Sequence, residues 1–164
     1  MNIARKALVV AQNWHANQKR KYTNNPYFDH LCEVAGLISP FYGNNPDIIS
    51  IALLHDLLED TNADELFLRS EFNDFIADGV LLLTDSTEGN RATRKAKSRE
   101  ILANAPDYIQ TIKIADLISN TGSIMEHDPE FAKVYLEEKR LLLNVLRKSE
   151  PILYGIAYRQ VEMK

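Results

Sequence analysis

The sequence predicts an all-α chain of about eight or nine helices, on three observations. Apolar residues recur at helical spacing along most of its length. No stretch alternates with the period of two that marks a half-buried strand. Proline and Asn/Asp pairs stand where helices would begin. The 164 residues suit one domain, 1–164, large enough to bury a real core. With 45% apolar and 26% charged residues, the balance is that of a folded chain rather than a disordered one.

Ile3, Ala7, Val10, Ala11 and Trp14 form the first apolar stripe, which ends near Gln18. After a polar stretch and Pro26, a second helix is expected over 27–38, stopping before Pro40. Asn45 and Pro46 supply an N-cap and a proline just inside a third helix, expected to run through Glu59. Asn62-Ala63-Asp64-Glu65 opens a fourth, and 72–84 is a further apolar segment. A loop over 86–90 leads to a basic helix over 91–103, and Pro106-Asp107 starts another. Asp128-Pro129-Glu130 heads the longest candidate, to about Lys148, and Glu150-Pro151 opens the last.

The formal charge of −4 and the lack of a long basic stripe argue against nucleic acid as a partner, while leaving room for a small phosphorylated ligand. Cys32 is the only cysteine, so an intrachain disulfide and Cys-rich zinc sites are excluded, and a reducing, cytoplasmic setting is expected. Its apolar neighbours make it core filler. Arg5 and Lys6 interrupt the N-terminal apolar run too early for a signal peptide, and no segment approaches the roughly 20 apolar residues of a membrane span. The oligomeric state is not written in the sequence.

The chemistry concentrates in Leu54-His55-Asp56-Leu57-Leu58-Glu59-Asp60. On a continuous helix, His55, Asp56, Glu59 and Asp60 share one broad face, beside the apolar run 48–54. Ionised groups held against a core need a partner, and a divalent cation is an economical one. His30 early in the second helix, and Asp116 inside the apolar run 112–118, complete a candidate set of two histidines and two aspartates. A mixed imidazole and carboxylate set fits Mn²⁺ first, with Fe or Zn compatible, and leaves coordination positions open for water and a phosphate oxygen. Lys19-Arg20-Lys21 and the group Arg91, Arg94, Lys95, Lys97 and Arg99 are basic clusters, more often solvated surface than ligand contacts. His127 reads as a surface loop residue.

Five ordered blocks resemble the HD-domain phosphohydrolases, more narrowly the small alarmone hydrolases and the hydrolase domain of bifunctional stringent-response enzymes. They are His15-Ala16-Asn17-Gln18-Lys19-Arg20-Lys21; Pro26-Tyr27-Phe28-Asp29-His30 with Val34-Ala35; 52–61, containing His55-Asp56 and Glu59-Asp60-Thr61; Leu83-Thr84-Asp85; and Ile112-Lys113-Ile114-Ala115-Asp116 with Asn120. The resemblance implies a compact HD-type helical bundle in which His30, His55, Asp56 and Asp116 ligate Mn²⁺. It implies that Glu59 and Asp60 position and activate the attacking water, that Arg20 and Lys21 lie near the guanine base and phosphates, and that Asn120 lies near the ribose. The implied reaction removes the 3′-pyrophosphate of ppGpp or pppGpp. The same ligands also suit a nucleotidase or phosphatase acting on NADPH, dNTPs or nucleoside monophosphates, or a catalytically idle nucleotide-binding regulator. Two departures stand out: Leu31 follows His30 where the family often has proline, and the loop Tyr22-Thr23-Asn24-Asn25 lacks the family's usual glycine.

Overall fold

The computed structural model describes residues 1–162. Among them every regular element is helical: α1 (Ile3–Trp14), α2 (Tyr27–Tyr42), α3 (Pro46–Leu54), α4 (Leu57–Asp60), α5 (Glu65–Glu71), α6 (Asp74–Leu83), α7 (Arg91–Asn104), α8 (Asp107–His127), α9 (Pro129–Val145) and α10 (Pro151–Glu162). The all-α expectation holds, and each helix read from the sequence is found. The additional one, α4, exists because the third helix does not run unbroken to Glu59. Two compact units divide the chain, Met1–Thr84 with α1 to α6 and Asp85–Lys164 with α7 to α10.

In the first unit α3 is the central element, packed by α1, α2 and α6. Ile48, Ser50, Ile51, Ala52, Leu53 and Leu54 are all buried, as expected of a helix that is apolar on every side. Asn45 starts it as predicted, its side chain accepting from the amides of Asp47 (3.1 Å) and Ile48 (3.3 Å). Gly79 brings α6 close to α3, since a Cβ there would stand 2.4 Å from Ile51 Cδ1. Leu31, the departure after His30, is fully buried in this core.

Two expectations in this unit need correction. α2 does not stop before Pro40 but runs through it to Tyr42. Proline removes the amide that would have bonded the Gly36 carbonyl, and Ser39 Oγ donates to that carbonyl instead, at 2.9 Å. The helix expected to carry His55, Asp56, Glu59 and Asp60 on one face is broken at its middle. His55 keeps helical angles, but Asp56 sits at φ −99°, ψ 2°, between α3 and the single turn of α4. Leu57 is buried, and Thr61 Oγ1 closes the turn by donating to the Leu57 carbonyl at 2.6 Å.

In the second unit α8 packs against α9 and α10, and α7 against α9. α8, with 21 residues, is the longest helix, not α9 with 17; it continues to His127, which therefore ends a helix and is exposed. Buried Gln110 ties the unit's loops: it donates to the Leu102 carbonyl and accepts from the Lys148 amide, both at 2.8 Å.

Lys139 on α9 is fully buried, and its Nζ donates to Thr121 Oγ1 (2.8 Å) and Gln160 Oε1 (2.7 Å). Both partners are neutral, so burial pushes the ammonium down to about 7. The unfolded chain holds that proton up to about pH 10.4, so it binds more protons than the folded one between these values. Stability therefore rises with pH across that window. Urea unfolding of the wild type against Lys139→Met should show the wild type gaining roughly 1.4 kcal/mol per pH unit over the variant from pH 7 to 9. A constant difference would mean the ammonium is not destabilised in the fold.

Candidate metal centre

Three side chains of the first unit meet at the start of α2 and at the break between α3 and α4. His30 Nε2 lies 3.5 Å and His55 Nε2 3.1 Å from the same oxygen, Asp56 Oδ2. One ligand atom from each residue lies within 4.8 Å of the other two, so His30, His55 and Asp56 can hold a divalent metal together. Both histidines are buried, and their rings meet edge to face at 5.3 Å.

The hydrogen bonds around the cluster prepare it for a cation. His55 Nδ1 is 2.7 Å from the Ala52 carbonyl, which can only accept, so Nδ1 carries the ring proton. In the neutral ring Nε2 then presents a lone pair toward a carboxylate oxygen. Two acceptors at 3.1 Å repel each other unless a cation or a second proton lies between them. Asp56 is steadied from the other side by the Tyr27 hydroxyl, which donates to Oδ2 at 2.6 Å. The break in the helix contributes directly, because it releases Asp56 from the helical path.

Residues 18–27 fold back beside this cluster. Lys19 and Pro26 form an isolated bridge, Tyr27 N donates to the Gln18 carbonyl at 2.9 Å, and Arg20 N donates to the Asn25 carbonyl at 2.8 Å. Asn24 takes φ 58°, the left-handed conformation that glycine favours and asparagine tolerates. This resolves the second departure: asparagine supplies the turn where the resemblance expects glycine. The Arg20 guanidinium sits over the Tyr27 ring at 5.7 Å, and the Lys21 ammonium over Tyr22 at 4.9 Å. Arg20 thus reaches the tyrosine that bonds Asp56.

Glu59 and Asp60 are both exposed at the end of α4. Asp60 Oδ2 accepts from Gln18 Nε2 at 2.9 Å, and Gln18 Oε1 faces His15 Nδ1 at 2.5 Å. Nothing in the sequence alone marks a role for His15, Gln18 or Tyr27 beyond their place inside the matched blocks, with His15 and Gln18 three apart. Cys32 is half-buried rather than core, and burial, with Asp29 nearby, pushes its thiol up, away from nucleophilic use.

The remaining two residues belong to the second unit. Asp116 on α8 is buried, with Oδ2 accepting from Lys113 Nζ (2.8 Å) and Oδ1 from Asn120 Nδ2 (2.7 Å). Asn120 therefore orients Asp116. From the basic helix, Lys95 Nζ donates to Asp85 at 2.5 Å, and Arg91 pairs with Glu138 at 2.7 Å. Burial alone would raise the Asp85 carboxyl, but the bond and charge of Lys95, with the charge of Lys113, hold it below the usual carboxylate range.

If the Tyr27 hydroxyl orients Asp56 for a metal, Tyr27→Phe should weaken Mn²⁺ binding roughly 10- to 100-fold in calorimetric titration. Unchanged affinity would remove the hydroxyl from the metal site.

The HD domain family model matches residues 7–139. A GTP pyrophosphokinase of Streptomyces coelicolor is 34% identical over 167 residues, covering 93% of this chain and 20% of that protein. A probable guanosine-3′,5′-bis(diphosphate) 3′-pyrophosphohydrolase of Mycoplasma genitalium is 29% identical over 150 residues, covering 84% of this chain and 21% of that protein. The chain spans about a fifth of the length of these curated relatives. A solved structure, of a metazoan ortholog of SpoT described as hydrolyzing ppGpp, superposes with a TM-score of 0.91 at 22% identity, covering 99% of this chain and 95% of that one. The helices, the His30–His55–Asp56 cluster and the family match lead to one conclusion: this chain belongs to the HD domain family.

Proposed function

We propose that the chain is a Mn²⁺-dependent phosphohydrolase that removes the 3′-pyrophosphate of ppGpp or pppGpp, giving GDP or GTP. The observation that carries the proposal is the buried pair of imidazoles aimed at one carboxylate, His30 and His55 against Asp56. The substrate is supported by the name of the Mycoplasma genitalium relative and by the description of the metazoan structure. The family match runs across both units, so residues 1–164 are taken as one phosphohydrolase domain. No described helix is long and apolar enough to cross a membrane, and a cytoplasmic nucleotide pool is the proposed source of substrate.

His30, His55 and Asp56 would hold the ion, and Asp116 enters as the fourth ligand from the sequence pattern. The nitrogen and oxygen donors suit Mn²⁺. When bound, such an ion supplies Lewis acidity, easing deprotonation of water and offsetting charge on the attacked phosphoryl group. Glu59 and Asp60 orient the attacking water and accept its proton; two nearby carboxylates can divide those tasks. Arg20, stacked on Tyr27, and Lys21 bind the anionic substrate, Arg20 through a planar fork matched to phosphate oxygens. Asn120 is assigned to the ribose.

The test incubates metal-stripped protein with ppGpp, with and without Mn²⁺, and separates the products. GDP and pyrophosphate should appear only with Mn²⁺. Glu59→Gln should lower turnover by roughly 10² to 10⁴ with Mn²⁺ affinity retained, as expected for loss of a general base. Release of phosphate from NADPH or from dNTPs, with ppGpp untouched, would replace the substrate and keep the site. Equal turnover by Glu59→Gln would strip that residue of its role.

A further inference from the structure

The hydrolytic reading leaves a buried histidine unused. His15, just past the end of α1, is 1% exposed, and its ring stacks on Tyr27 at 5.4 Å and 20°. Its Nδ1 is 2.5 Å from Gln18 Oε1, and its Nε2 is buried with no hydrogen-bond partner among the described residues. Gln18 in turn reaches Asp60, 42 positions along the chain, at 2.9 Å.

The proton positions along this chain follow from its last member. A carboxylate oxygen accepts, so the amide nitrogen of Gln18 must face Asp60 and its oxygen must face His15. An amide oxygen also only accepts, so His15 Nδ1 must donate. In the neutral ring the far nitrogen, Nε2, then keeps its lone pair, buried and with no hydrogen-bond partner among the described residues. A histidine used only to fill space would be better replaced by an apolar residue, because burying that nitrogen has a cost.

Asp60 has good reason to need the bond. It stands exposed at the end of a four-residue helix, where its side chain would otherwise sample several rotamers. Gln18 fixes Oδ2, and Oδ1 accepts no hydrogen bond from the described residues. The same His15 ring braces Tyr27, whose hydroxyl holds Asp56. One buried imidazole therefore reaches both the metal-binding carboxylate and the water-handling one.

We propose that His15 and Gln18 are positioning residues for hydrolysis: His15 orients the Gln18 amide, which pins Asp60 by one oxygen and leaves the other for the attacking water. This rests on the phosphohydrolase reading above. Gln18→Leu, at a partly exposed position, should lower kcat roughly 10- to 100-fold, the scale of a misplaced catalytic group, with KM and Mn²⁺ affinity within about twofold. In an Asp60→Asn background the same substitution should cost nothing more, and additive losses would overturn the proposal. Side-chain amide NMR of the metal-free protein tests the contact without turnover. The Gln18 amide protons should shift on Asp60→Asn and again on His15→Phe; no shift on either would overturn it. If the wild type leaves ppGpp intact, the substrate reading fails, and the amide shifts alone decide whether the His15–Gln18–Asp60 chain exists.

Discussion

Two buried imidazole nitrogens face a single carboxylate oxygen, and much of the first unit can be understood from that. His30 and His55 are shielded from water, and the carbonyl of Ala52 fixes the protonated nitrogen of His55 on the far side of its ring. In the neutral ring the other nitrogen of His55 turns its lone pair to Asp56, an arrangement a cation suits. The surrounding elements serve to hold this geometry. α3 is buried over most of its length and ends at Leu54, just before His55, α2 presents His30 in its first turns, and Tyr27 at the start of α2 bonds Asp56.

Rigidity and exposure are divided along the short stretch from His55 to Asp60. His55 is in the core and Asp56 half-buried, while Glu59 and Asp60 stand in solvent on a single turn. A short helix cannot hold its own side chains by packing, so the restraint on Asp60 comes from outside, through Gln18. The loop that supplies Gln18 also carries Arg20 and Lys21. Its left-handed residue, Asn24, lets the chain double back within a few positions. Under the proposed function, water handling by Asp60 and anion binding by Arg20 and Lys21 would both depend on one loop, next to the buried ring of His15.

Much of this was legible in the sequence, where the signal was local. Asn45-Pro46 marked a helix start by side-chain capping, and the apolar run after it marked a buried helix; both are found. The His55-Asp56 pair stood out because it follows an apolar run and is itself followed one turn on by Glu59-Asp60. What escaped were features set by contacts distant in sequence or by compensation. Pro40 ought to end a helix, but Ser39 serves the carbonyl it leaves and the helix continues. The break at Asp56 carries no glycine or proline to announce it. His15 and Gln18 gain meaning only once folding brings Asp60 to them, and nothing in their own neighbourhood reports that.

The most direct measurement is the position of the metal itself. Crystals of the protein grown with Mn²⁺, with diffraction recorded on both sides of the manganese absorption edge, would locate the ion without reference to activity. The account predicts one strong anomalous peak bounded by His30 Nε2, His55 Nε2 and the Asp56 carboxylate, lost in Asp56→Asn. A peak elsewhere, or none at this cluster under saturating Mn²⁺, would contradict it.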